Sequence, residues 1–177
     1  MNRVRIISII VLAGMLAGAL ALVIPGAVQA QGTNPPVPPA GQNQQANQTQ
    51  RLEKAYQREL KALDAQAKNL TTADDRVAKF AQRIADLKSK GKDTSALEAA
   101  LADFKDVLKG AHTTHDKAAG ILNTHAGFND QGKVTDIQQA RNTVQEADKL
   151  LREVHRDLRP AVRDLVRALR EFLRDNR

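Results

Sequence analysis

The sequence predicts an all-α protein, an elongated antiparallel three-helix bundle with coiled-coil-like heptads. Three observations carry that expectation. Apolar residues recur in three long stretches at alternating steps of three and four, the spacing that keeps them on one helix face. The boundaries between the stretches carry helix-capping and helix-stopping sequences. No alternating β-branched run suggests a strand.

In the first stretch Tyr56, Leu63, Leu70, Val77 and Ile84 lie seven apart, and Leu60, Ala67 and Ala81 read as the second seam. This predicts a helix over 51–89. Thr71-Thr72-Ala73-Asp74-Asp75 resembles a fresh N-cap, and a break there would give four helices. The unbroken Leu63, Leu70, Val77 spacing favours one continuous helix. In the second stretch Leu97, Leu101, Phe104, Leu108, Ala111, His115, Ala118, Leu122 and His125 alternate in steps of four and three. Ser95-Ala96-Leu97-Glu98 opens it as a capping box, in which hydroxyl and carboxylate satisfy backbone donors at the helix start. Ala126-Gly127-Phe128 closes it, with Gly127 left-handed and Phe128 folding back toward Leu122. The predicted helix is 95–126. In the third stretch Ile137, Ala140, Val144, Ala147, Leu151, Val154, Leu158, Ala161, Leu165, Ala168 and Phe172 form the seam of a helix over 135–175, opened by Thr135-Asp136-Ile137-Gln138. The first and third helices each reach about 60 Å at 1.5 Å per residue. Alanine at many seam positions makes the core thin, so self-association would add buried area.

Two segments precede the bundle. Residues 1–30 read as a signal peptide: Arg3 and Arg5 supply a basic start, an apolar run extends from Ile6 to Ile24, Pro25-Gly26 breaks it, and Ala27-Val28-Gln29-Ala30 offers a peptidase site. Cleavage after Ala30 would leave Gln31 first, on a secreted or periplasmic chain with no transmembrane span. An uncleaved anchor is the competing reading, because the apolar run is nearly long enough to cross a bilayer. Residues 31–50 carry no charge and hold four of the chain's 6 prolines amid Gln and Asn. Such a composition buries too little to offset the entropy of ordering, so it reads as a disordered linker.

Composition narrows function. Without cysteine there is no disulfide framework, thiolate metal site or cysteine nucleophile. One Tyr, 4 Phe and no Trp leave little to stack bases or line a sugar groove. The serines, Ser8, Ser89 and Ser95, lie in the leader or beside a turn, no glycine-rich phosphate loop occurs, and the carboxylates fall on exposed helix faces. No catalytic residue and no cofactor are therefore expected. The chain is basic, with 27 Lys+Arg against 20 Asp+Glu. Export argues against intracellular nucleic acid as the partner of that charge.

The one surface feature that points to a ligand is in the third helix. Arg152, Arg156, Arg159, Arg163, Arg167, Arg170, Arg174 and Arg177 are its only Lys or Arg residues beyond 150. At 100° per residue they share an arc of roughly 80°. Glu153, Asp157, Asp164, Glu171 and Asp175 fill the neighbouring arc, and Pro160 falls between the two, facing solvent. Arginine forks suit phosphate, sulfate and carboxylate, so this face fits an anionic polymer or lipid surface. The same pattern also describes a solvated face laced by pairs such as Glu153–Arg156, Asp164–Arg167 and Glu171–Arg174.

His112 and His115 are one turn apart and could start a metal site, but two imidazoles are half a ligand set, and His115 and His125 sit at seam positions where a polar residue fixes register. Asn129 to Thr135 echoes a calcium loop without its acidic ends. The expectation is an exported, non-enzymatic helical binding or structural protein of the cell envelope or exterior. A holdase chaperone is the first alternative and a histidine-based metal binder the second.

Overall fold

The computed structural model describes residues 40–176. The expected signal peptide, its cleavage point and linker residues 31–39 lie outside the described residues. The chain divides into two compact units, Met1–Asn47 and Gln48–Arg177, and the second is the helical bundle. The described elements are α1 (Ala40–Ser89), α2 (Ser95–Asn123) and α3 (Ile137–Asp175). No strand occurs among the described residues. An isolated bridge between Phe128 and Val134 pins the loop joining α2 to α3.

Side-chain contacts give the directions. Tyr56 near the start of α1 donates its hydroxyl to the Leu122 carbonyl at the end of α2, at 3.0 Å. Lys88 at the end of α1 pairs with Glu98 at the start of α2, at 2.9 Å. The two helices are therefore antiparallel. Along α3 the order reverses again: Gln66 of α1 reaches the Leu151 carbonyl, and Glu53 reaches Lys133 just ahead of α3. The result is an up-down-up three-helix bundle.

α2 buries Leu97, Leu101, Phe104, Leu108, Ala111, His115, Ala118 and Leu122, the expected seam up to its last member. On α1 the seven-residue row holds at Tyr56, Leu63, Leu70 and Ile84, but the second row differs from expectation. It runs through Glu59, Gln66 and Phe80 instead of Leu60, Ala67 and Ala81. The apolar residues chosen from the sequence lie on the opposite flank, and two polar side chains face the core. On α3 the buried set ends in Leu165 and Leu169, with Ala168 and Phe172 only half-buried. A helix of 100° per residue explains the change. Leu169 falls roughly 30° from the centre of the buried stripe and Ala168 roughly 70°, because a seven-residue repeat drifts against an unsupercoiled helix.

Alanine shapes the α2–α3 pair. Ala111 and Ala118 on α2, and Ala140 and Ala147 on α3, are all at most 3% exposed. Their small side chains let the two helices approach closely along the seam.

The boundaries correct several expectations. α1 starts at Ala40, eleven residues before the expected start, so the second half of the uncharged stretch 31–50 is helical. It runs unbroken through Thr71–Asp75, where Thr71 and Thr72 return their hydroxyls to the Ala67 and Lys68 carbonyls instead of capping a new helix. The four-helix variant is thereby excluded. Both N-caps are displaced by one residue. Thr94, not Ser95, precedes α2; its hydroxyl donates to Glu98 Oε1 at 2.7 Å, while Asp93 accepts from the Ser95 backbone and hydroxyl. Asp136, not Thr135, caps α3 by accepting from the Gln139 N–H at 2.9 Å.

α2 stops at Asn123, three residues early, because His125 turns left-handed at φ 52° and Gly127 follows at φ 82°. His125 is thus a turn residue and not a helical seam residue. A side chain on Gly127 would meet the Asp136 carbonyl and Ala140 Cα at 2.7 Å, so the turn requires glycine both for its φ and for the closeness of α3. Phe128 is buried in the same core cluster as Leu122, and the partner its ring stacks on is Tyr56, with centroids 4.1 Å apart.

Candidate functional site

The arginine face is built as the spacing requires. α3 buries Leu151, Val154, Leu158, Leu165 and Leu169, and the arginines stand on the opposite side of the same helix. Arg152, Arg156, Arg163, Arg167 and Arg174 have 61–76% of their side-chain surface exposed. Arg159 and Arg170 are exposed as well. Arg177 lies outside the described residues. Pro160 is exposed, on the expected side, and α3 continues through it.

The neighbouring acids answer part of this charge. Arg152 pairs with Asp148 at 2.8 Å, Arg156 with Asp157 at 3.0 Å, Arg167 with Asp164 at 3.1 Å and Arg174 with Asp175 at 3.0 Å. Of the three pairs expected from the sequence, Asp164–Arg167 forms and Glu153–Arg156 is a long contact at 3.8 Å. In place of Glu171, Arg174 takes the adjacent Asp175. Arg163 reaches Asp164 only at 3.9 Å, and Arg159 and Arg170 take part in no ion pair among the described residues. Hydrogen bonds that Arg152 and Arg174 donate to Asp148 and Asp175 raise the pKa of both arginines still further, so both hold their charge at any biological pH. Pairs this exposed are weakened by solvent screening, so an incoming anion can displace them.

The two weak metal candidates are not brought together. His112 points outward and meets Asp74 of α1, Nε2 to Oδ2, at 2.9 Å. His115 points into the bundle and meets Gln66. No group of three or more metal-ligating side chains occurs among the described residues. His155 is exposed, and His125 lies in the turn with its ring 6.2 Å from that of Tyr56.

A polar layer crosses the middle of the bundle that sequence reasoning did not find. Gln66 Nε2 donates to the Leu151 carbonyl at 3.0 Å, so its Oε1 is left to accept from His115 Nδ1 at 3.2 Å. That assignment places the proton on Nδ1 and ties all three helices through one amide. Two turns before it, Glu59 is 3% exposed and receives both Nε and Nη2 of Arg58, at 3.1 and 2.8 Å. Glu59 also acts favourably on the charge of Arg152 across the α1–α3 seam. The signal was present in the sequence: Tyr56, Glu59, Leu63, Gln66, Leu70, Ala73, Val77, Phe80 and Ile84 follow an alternation of three and four once polar residues are admitted to it.

Taken together these features define a helical bundle with one strongly cationic helix face. Compared with protein-family models, with curated proteins and with solved structures, the chain gives no match. No described helix is long and apolar enough to cross a membrane.

Proposed function

We propose that the chain is a non-enzymatic helical binding protein of the cell envelope or exterior that engages an anionic surface through the arginine face of α3. One observation supports this above the others: along more than twenty residues, every described Lys or Arg of the helix is an exposed arginine aimed away from the core. A purely solvated face has no need for guanidinium over ammonium. A phosphate or sulfate surface does, since the planar fork donates two parallel hydrogen bonds to such oxygens. The basic leader with its apolar run supports export.

The test is binding of the chain to anionic vesicles and to heparin across a salt series, beside the variant R156Q/R163Q/R167Q/R170Q. Binding should fade with salt, and the variant should lose about 1 kcal/mol per arginine removed. Equal binding by the variant would reject the arginine face. No binding of either protein at low salt would reject the anionic partner and favour the holding of unfolded clients.

A further inference from the structure

The end of the bundle where α1 meets the α2–α3 loop holds an open groove of about 650 Å³, separate from the arginine face. Its first wall is α1, where Lys54, Gln57 and Lys61 follow one another at steps of three and four and so line one side of the helix. Its second wall is the loop at 131–133. That loop is held by its own hydrogen bonds: Asn129 Oδ1 accepts from the Gln131 and Lys133 N–H groups at 3.0 and 2.9 Å. Gly132 is buried at φ 71°, and a Cβ there would come within 2.6 Å of Gln57 Nε2, so loop and helix are in close register.

The charge on the groove is unbalanced. Four cations line it, Lys54, Arg58, Lys61 and Lys133, against one carboxylate, Glu53. That carboxylate is already engaged by Lys133 Nζ at 2.9 Å and by the Val134 N–H at 3.4 Å, and the Lys133 bond holds its pKa below the ordinary range. Arg58 is answered by Glu59. Lys54 and Lys61 are exposed and take part in no ion pair among the described residues. They stand two turns apart, about 10 Å along the helix axis, with the Gln57 amide between them.

We propose that this groove is an anion-binding site for an extended, multiply charged phosphate compound, bound by Lys54 and Lys61 with Gln57 as a neutral donor. The spacing fits charges spread over several ångströms better than one small ion. Two ammonium groups and an amide offer more donors than a carboxylate has oxygens to accept, whereas each phosphate presents several acceptors. The site involves none of the residues of the arginine face.

The probe is inorganic tripolyphosphate, titrated calorimetrically into the full chain at low salt, with citrate as the carboxylate comparison. The expected result is one site per chain whose affinity falls roughly tenfold in K54Q/K61Q. R156Q/R163Q/R167Q/R170Q should leave it within about twofold, since distant sites act independently. Both lysines are exposed, so K54Q/K61Q should melt like the parent chain. The proposal is overturned if K54Q/K61Q binds like the parent, if the four-arginine variant loses the binding, or if several weak equivalents bind per chain. Citrate binding as tightly as tripolyphosphate would overturn the assignment to phosphate.

Discussion

Gln66 and His115 are polar residues placed where leucine would ordinarily sit, and their value depends on each other. Replacing Gln66 by Leu leaves the His115 Nδ1–H buried without its acceptor; replacing His115 by Leu leaves Gln66 Oε1 without its donor. Each single change should cost about 1–3 kcal/mol, the desolvation cost of the orphaned group. The double change Q66L/H115L removes both orphans at once. It should cost less than the sum of the singles by about 1 kcal/mol or more, read from urea melts of the four proteins. Additive costs would mean that the two side chains do not act as a pair. Gly127 shows the opposite dependence, on backbone alone: its φ and the nearness of α3 exclude every other side chain whatever its polarity.

Among the helices, α3 carries both the candidate surface and an unusual interior residue. Pro160 lacks an N–H and leaves one carbonyl of the preceding turn without its helical partner. It faces solvent, so P160A should raise stability by about 1–3 kcal/mol, seen as a higher midpoint in thermal or urea unfolding. A lower midpoint would show instead that Leu165 and Leu169 pack only behind the proline. The helices themselves were legible from apolar spacing, and α2 nearly completely, because its seam residues are apolar and evenly stepped. The second row of α1 was not, since a pattern built from apolar residues passes over Glu59 and Gln66 and settles on Leu60 and Ala67. Both caps were displaced by one residue for a related reason: Thr94 and Ser95, like Thr135 and Asp136, are adjacent residues that can each cap, and only the backbone geometry selects between them. The arginine face could be placed from spacing alone. Which arginines keep an ion pair could not, because adjacent acids such as Asp157 and Asp175 compete with those one turn away. The groove beside the 131–133 loop depends on long-range packing and has no local signature.

The bundle is secured at both ends by carboxylates whose pKa is lowered. At one end Glu53 is held down by its bond from Lys133; at the other, Glu98 is held down by Lys88 and then Thr94, and Asp93 by Ser95. A carboxylate with a folded-state pKa below its unfolded value of 4.5 stabilises the fold fully above that pH. The contribution is lost as pH falls through the lowered folded value, because the unfolded chain then binds more protons. The melting temperature should therefore fall with acid below about pH 4.5, and E53Q/E98Q should show a shallower fall than the parent. Parallel profiles for the two proteins would remove these contacts from the account. The stacked pair at the α1 end also gives the protein an optical property. Tyr56 is the sole tyrosine and there is no tryptophan, so emission excited at wavelengths beyond the absorption of the 4 phenylalanines arises from one ring. That ring is 1% exposed, and burial pushes its phenol above the ordinary 10.0. With excitation there, one native ring reports, without any label, on whether the turn around Gly127 is closed over the first helix.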